Sequence, residues 1–314
     1  MSIRIRAAAV QAEPAWLHLP AGVAQTIGFI EDAGAGGAQL VAFPEVFLPG
    51  YPWWLWLNSV DWGSEFQSRY LADSMTRDGV EMRAIADAAQ WAGVRVVLGF
   101  AERAGDEVYM AQAMIGPDGQ VRVARKQWPT PLEREVFADG VAPSVVYHTE
   151  LGRVGILGGA DHVCPDRRVD LWREQVHVAA FSGFTVYHEV TDDIVVAVNS
   201  TVAEQYARDS GVVVIAPTAL VPMTGWSVVD TRSPQHLLLS GGGGVARILG
   251  PDGRDLVRPL PPGKSGLLFA DLDLSRAWRP AMSGSDQPGD RVGGLFDLGF
   301  GLGSTGDRRV DDAV

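Results

Sequence analysis

The sequence predicts an α/β fold of sheets with helices packed outside them. Three observations lead there. Segments of strand pattern and helix pattern alternate along the 314 residues, strands outnumber helices, and helices fall between strands. No linker and no midpoint shift in composition divides the chain, so one domain is expected over 1–281, followed by a Gly-rich, acidic tail, 282–314, read as loop or oligomerisation arm.

The elements follow in order. IRIRAAAVQ (3–11) is a strand. PAGVAQTIGFIEDAGAGGA (20–38) is a helix, with Val23, Ile27 and Ile30 on one face and Gly34 to Gly37 ending it. QLVAFP (39–44) is a short buried strand. Residues 78–92 form a second amphipathic helix with Met82, Ile85 and Ala89 inward, and VRVVLGFAE (94–102) returns as a strand. A hairpin joins VYMAQAMIG to VRVARK through Pro117, Asp118 and Gly119, because Asp-Gly supplies the positive φ a tight turn needs. The same turn chemistry predicts a second hairpin in VARILGPDGRDLV (245–257). GRVGILG (152–158), QVHVAAF (175–181), VVVIAP (212–217) and GLLFADLDL (266–274) are further strands, and residues 192–211 are helical.

Composition excludes several function classes. The formal net charge is −12 and no Lys/Arg block exceeds two residues. A basic face for phosphates is therefore absent, which argues against nucleic acid and against an anionic membrane surface, and leaves a small molecule as the expected partner. No apolar run approaches the ~20 residues that span a bilayer. The opening MSIRIRAAAVQ lacks the apolar stretch of a signal peptide, and one cysteine permits no internal disulfide, so a cytoplasmic location is expected. The six histidines show no i, i+4 pair, so neither metal nor cofactor is expected. SGGGGV (240–245) precedes a strand pattern rather than a helix and reads as a loop, not a phosphate cradle.

Three stretches can carry chemistry. In AFPEVFLPGYPWWLWLNSVDW (42–62), Glu45 follows a buried strand and precedes a loop rich in Pro and Trp. Strand ends display catalytic groups, and aromatic neighbours such as Tyr51, Trp53 and Trp54 desolvate a carboxylate and raise its pKa, which suits a general base. Taken alone, a solvent-exposed loop Glu is the plainer reading, since most charged residues are exposed. In VARKQWPTPLERE (123–135), Lys126 ends a hairpin strand and Glu133 follows in a loop that can fold back over it; an edge lysine that blocks strand pairing is the plainer alternative. In RVGILGGADHVCPDRRVD (153–170), a buried strand stops at Gly158–Gly159, and the only cysteine, Cys164, follows five residues later.

In that order, the three stretches resemble the nitrilase superfamily of carbon–nitrogen hydrolases. FPEVFLPGYP resembles the segment around that family's general-base glutamate, RKQWPTPLER is similar to the nitrilase-branch RKLKPTHxER, and GRVGILGGADH is similar to GRxGxLxCWEH. SGGGGVARILGPDGR and GLLFADLDL resemble its late strands. The likeness runs from about residue 3 to about residue 280. It implies a single-domain αββα four-layer sandwich that pairs into homodimers or larger spirals. It also implies Glu45 as base, Lys126 as stabiliser of the tetrahedral state, and Glu133 as the second glutamate.

The likeness breaks at the nucleophile. Gly159 stands at the cysteine position and Ala160 at the neighbouring tryptophan, while Asp161 and His162 follow as the acidic residue and histidine. Trp128 replaces a second lysine and makes the approach more aromatic. Tyr51, Trp53, Trp54, Trp128, Ala160, Asp161, His162 and Cys164 are pocket candidates, and Trp53, Trp54 and Trp56 are candidates for the substrate entrance or a subunit contact. His162, His177 and His188 can approach the pocket.

Loss of a triad nucleophile costs on the order of 10⁶ in turnover. Three readings follow. The retained trio performs non-covalent acid/base chemistry, such as cyclisation, addition, elimination or hydration, on a small nitrogen-containing or carbonyl substrate. Alternatively, Cys164 or an activated water substitutes as nucleophile in a nitrilase or amidase; five extended residues span over ~15 Å, enough for Cys164 to return. The third is a binding or scaffold protein without turnover.

Overall fold

The computed structural model describes residues 4–56, 60–141, 146–164, 174–182, 192–220 and 244–276. By its internal contacts the chain divides into Met1–Pro280 and Ala281–Val314. The expected tail, 282–314, and residues 240–243 of the Gly-rich loop lie outside the described residues.

Two sheets form the centre. The first contains β1 (Arg4–Ala12), β2 (Leu40–Ala42), β3 (Arg95–Ala104), β4 (Glu107–Ile115) and β5 (Val121–Arg125). The second contains β6 (Val146–Thr149), β7 (Gly152–Gly158), β8 (Val176–Ala180), β9 (Val213–Ala216) and, at its edge, β11 (Arg247–Leu249). The short β10 (Thr218–Ala219) and the long β12 (Gly266–Asp273) both return to β1 in the first sheet, β12 in antiparallel register from Arg4↔Asp273 to Gln11↔Gly266. β1, β2 and β3 are mutually parallel, as are β7, β8 and β9.

Strand alternation sorts the side chains into layers. Ile5, Ala7 and Ala9 of β1 face Val154 and Ile156 of β7 and Val176 and Val178 of β8 in a core between the sheets. Ala8 and Val10 of the same strand face outward, where α1 (Leu19–Ala35) and α3 (Val80–Ala92) cover them with Val23, Ile30, Met82 and Ile85. On the outer face of the second sheet, Ala203, Tyr206 and Ala207 of α4 (Asp192–Ser210) pack on Leu157, Ala179 and Val214. The result is the expected αββα sandwich. Each fully buried Val, Leu or Ile in these layers contributes about 1.5–3 kcal/mol. Among the described residues no helix is long and apolar enough to cross a membrane.

The structure departs from the sequence reading at several elements. The second hairpin is cut short: after β11 the chain turns at Pro251–Gly253 but returns only as an isolated bridge, Leu249↔Asp255. Pro259, Pro261 and Pro262 follow, and proline lacks the donor a second strand needs. The first hairpin forms as expected, with Gly119 at φ 77°. A helix not read from the sequence, α2 (Val60–Asp73), follows the Trp-rich stretch. Its Phe66 and Tyr70 join Trp16, Tyr51, Trp53 and Trp54 in a separate aromatic cluster.

Candidate active site

Glu45 is placed by the short loop that leaves β2. Phe43 and Phe47 donate their amides to Val97 O and Gly99 O of β3, so the loop runs along that strand rather than away from it. The approach is close. A Cβ on Gly99 would lie 2.7 Å from Val46 N and 2.8 Å from Glu45 Cα, and would also collide with Pro44 O. Glycine at 99 is what lets the Glu45 backbone sit there.

Lys126 follows β5 directly. Its amide donates to Met110 O at 2.7 Å, and its carbonyl accepts from Gly140 at 2.9 Å. Strand alternation separates it from its neighbour. Arg125 pairs with the buried Glu102, Nε to Oε2 at 2.8 Å, whereas the Lys126 ammonium joins the two glutamates.

Lys126 Nζ is 3.1 Å from Glu45 Oε1, 3.1 Å from Glu133 Oε2 and 3.3 Å from Glu133 Oε1. Glu133 opens a single 3₁₀ turn, Glu133–Glu135. Its carboxylate also accepts from the Thr130 amide at 2.7 Å and from the Tyr51 hydroxyl at 3.2 Å. Both glutamates are 4% exposed.

Burial and charge set three different protonation states. Burial pushes the Glu45 carboxyl up to about 7; the Lys126 charge opposes this, while the charges of Glu133 and Asp161 add to it. Burial by itself would lower the Lys126 ammonium, but the charges of Glu45, Glu133 and Asp161 outweigh it and hold the group above its ordinary value. Burial would likewise raise Glu133, yet the Lys126 charge and the hydrogen bonds from Thr130, Lys126 and Tyr51 hold it below. The physical reason is charge balance: Lys126 and Glu133 already neutralise one another, so ionising Glu45 leaves an unbalanced buried charge. A base poised near neutrality thus stands beside a permanent cation, which can exchange a proton with a substrate and stabilise the anion that results.

The turn after β7 closes the site. It spans Gly159–Val163 as a 3₁₀ helix and includes Ala160. A Cβ on Gly159 would come within 2.9 Å of Glu45 Oε2, and one on Gly158 would collide with Glu45 Oε1, so the carboxylate rests directly on the glycine pair. Asp161 is buried, and its charge acts on both Glu45 and Lys126. His162 is fully buried, with Nδ1 2.9 Å from Gly159 O. Cys164 is half-buried at the end of the turn, its amide donating to Asp161 O at 3.2 Å.

The other expected pocket residues separate. Tyr51 reaches the trio through Glu133. Trp53 and Trp54, expected at the entrance or a subunit contact, are both 1% exposed and packed in the aromatic cluster. Trp16 lies 5.9 Å from Trp53, and Trp54 lies 5.5 Å from Phe66 and 5.1 Å from Tyr70 by ring centroids. Their apolar rings are used as core, because α2 supplies a covering face that sequence periodicity did not reveal. Trp128 is 39% exposed. His188 and the side chain of Trp56 lie outside the described residues. Sequence reasoning missed Gly99, whose only signal is a glycine inside a strand. It also missed Glu174 and Tyr206, which join His162 and His177 in a buried chain. Among the described residues no group of three His, Cys, Asp or Glu side chains is arranged to hold a metal ion.

Comparison with known proteins agrees with the fold. The carbon-nitrogen hydrolase family matches residues 6–279. A nitrilase from Pseudomonas syringae pv. syringae (strain B728a) is 39% identical over 273 residues, covering 86% of this chain and 81% of its own length. An arylacetonitrilase from Aspergillus kawachii (strain NBRC 4308) is 38% identical over 287 residues, covering 88% and 86%. Among solved structures, a carbon-nitrogen hydrolase from Helicobacter pylori G27 superposes with a TM-score of 0.69 at 18% identity, covering 87% of this chain and 91% of that one.

Proposed function

Because the chain belongs to the carbon-nitrogen hydrolase family, we propose that it is an enzyme acting on a small nitrogen-containing or carbonyl substrate through Glu45, Lys126 and Glu133, without a thiol intermediate. One observation carries the reading. The Glu45 carboxylate rests on Gly158–Gly159, in the space that the stem of a side chain at Gly159 would need. On this reading Gly159 stands at the family's nucleophile position, and the Glu45 carboxylate lies directly against it.

Glu45 then takes a proton from the substrate or from water. Lys126 stabilises the oxygen or nitrogen anion that develops and can return a proton to it. Glu133 holds Lys126 charged and in place, and Tyr51 and the Thr130 amide hold Glu133. Cyclisation, addition, elimination and hydration by activated water all fit this arrangement. The family likeness adds a homodimer or larger assembly and a cytoplasmic setting to the reading.

A second reading keeps C–N hydrolysis with Cys164 as substitute nucleophile. It is favoured by the nitrilase names of the relatives and by the place of Cys164 at the end of the same turn. One experiment separates the two. The protein is incubated with panels of nitriles, amides and unsaturated imines and carbonyls, and both product and intact-protein mass are followed. Turnover without an adduct, retained in Cys164→Ser, supports the first reading. A covalent adduct on Cys164 with turnover abolished by Cys164→Ser establishes the second. Ligand binding across the panels without turnover would sink both and leave a binding protein.

A further inference from the structure

Gly159 has a second neighbour besides Glu45. Its carbonyl oxygen lies 2.9 Å from His162 Nδ1, and from there a row of buried side chains runs into β8 and α4. His162 Nε2 is 2.9 Å from His177 Nε2, and His177 Nδ1 is 2.9 Å from Glu174 Oε2. The Tyr206 hydroxyl donates to Glu174 Oε1 at 2.5 Å. The His177 and Tyr206 rings are also stacked, with centroids 3.9 Å apart. All four side chains are essentially enclosed, and none belongs to the Glu45–Lys126–Glu133 trio.

The proton count of this row can be worked out from its ends. A carbonyl oxygen only accepts, so His162 Nδ1 carries a hydrogen. The contact between the two imidazoles needs one proton, the contact between His177 and Glu174 needs one, and Tyr206 brings its own. These protons can be shared in three ways. In one, every group is neutral: Glu174 donates to His177, and His177 donates to His162. In the other two, Glu174 is ionised and one of the imidazoles is a cation. A buried ion pair carries a desolvation cost that the neutral arrangement avoids. Burial also pushes the Glu174 carboxyl well above the usual carboxylate range, with the Tyr206 hydrogen bond opposing it. Among the described residues, the charged groups nearest this row are Asp161 from the same turn and, across Gly159, Glu45 and Lys126.

We propose that Tyr206, Glu174, His177 and His162 form an uncharged hydrogen-bond chain of one direction that holds the Gly159 peptide beneath Glu45 and keeps imidazolium charge away from that carboxylate. All four are positioning residues. An imidazolium at His162 would stabilise the Glu45 anion and make it a weaker base. Two neutral imidazoles leave the base strength of Glu45 to burial and to the charges of Lys126, Glu133 and Asp161. The catalytic consequence rests on the acid/base reading of Glu45, whereas the protonation pattern does not.

The test begins with the intact protein labelled with 15N-histidine. Long-range 1H–15N spectra at neutral pH, assigned with His162→Gln and His177→Gln, should show two neutral rings, His162 protonated at Nδ1 and His177 at Nε2. An imidazolium at either position, or the opposite tautomers, overturns the proposal. Kinetics with the substrate found above supply the second readout. Glu174→Leu strips partners from both His177 and Tyr206 and should lower kcat at least tenfold with KM within twofold. Glu174→Gln donates to His177 and accepts from Tyr206, so it should restore kcat to within threefold and keep the wild-type acid limb of the pH profile. A Leu variant with full kcat, or a Gln variant as poor as Leu, overturns the positioning role. If the Leu variant does not fold, the Gln profile and the spectra decide. If Glu45 is not the base, Glu45→Gln keeps full turnover while the tautomer pattern stands, so the two failures are told apart.

Discussion

Glu45 Oε2 stands against the backbone of Gly159, where a Cβ would approach it to 2.9 Å, and Oε1 overlaps the place of a Cβ on Gly158. The two glycines therefore differ in what they tolerate. Gly158→Ala forces Glu45 away from Lys126 and is expected to cost about 1–3 kcal/mol, with most of the turnover lost. Gly159→Ala requires a shift of a few tenths of an ångström and should cost less on both counts. Urea denaturation alongside kcat orders the two variants; equal effects would contradict the packing of Glu45 on the pair.

The same contact decides what a thiol placed at position 159 does. Gly159→Cys brings sulfur into a space that the Glu45 carboxylate already fills. The substitution should yield an alkylatable thiol by mass, with turnover of the natural substrate reduced rather than enhanced. A gain in nitrile hydrolysis equal to a thiol enzyme's would show that Glu45 withdraws freely.

On the proposed function, Glu45 sets the acid side of the activity profile. It must be ionised to accept a proton, and its carboxyl titrates at about 7, so kcat/KM should rise with pH through about 7 and then level. Glu45→Gln should remove about 10²–10⁴ of the rate together with that limb. Stability moves in the opposite sense. The folded state holds the Glu45 proton more tightly than the unfolded chain, so Glu45 ionisation lowers stability as pH rises from about 4.5 towards 7. The stability of Glu45→Gln relative to wild type should therefore increase over that window.

How much of this was legible in the sequence depends on the range of the interaction. The alternation of β1 and the spacing of Met82, Ile85 and Ala89 are local patterns, and they predicted both the elements and their buried faces. Glu45 and Lys126 each follow a strand whose pattern is clear, whereas Glu133 opens a short turn in a loop and stood out only through its place in RKQWPTPLER. What escaped was what other parts of the chain do to a residue. Trp53 and Trp54 read as entrance residues until α2 covered them. Glu174 and Tyr206 are separated by 32 positions, and nothing in their flanks shows that they meet.

Glu133 contributes with the reverse sign to Glu45. Its folded carboxyl is held below the ordinary 4.5, so the stability it adds is complete above that value and is lost as pH falls through the folded value. Glu133→Gln should narrow its stability deficit as the solution is acidified below about 4.5. Tyr51→Phe, which removes one hydrogen bond to that carboxylate, should cost about 0.5–1.5 kcal/mol at neutral pH. Melting curves of the two variants across pH check both; a Glu133→Gln deficit that widens in acid would reverse the assignment.

Gly99 packs directly under the Glu45 backbone and so decides where the Glu45 carboxylate lies. The amides of Phe47 and Phe43 fix the Glu45 loop to β3, so the loop cannot lift away from a new methyl group without breaking those bonds. Gly99→Ala must displace either β3 or the peptide around Glu45, since its Cβ would lie 2.8 Å from Glu45 Cα. The expected cost is about 1–3 kcal/mol of stability, from overpacking. Turnover should fall by far more than that loss implies, because a displacement of 1 Å at a catalytic group costs on the order of 10² in rate. Denaturant midpoints and kcat measured on the same samples separate the two effects. A Gly99→Ala protein that is destabilised yet fully active would mean that Glu45 is positioned by the Gly158–Gly159 turn rather than by β3.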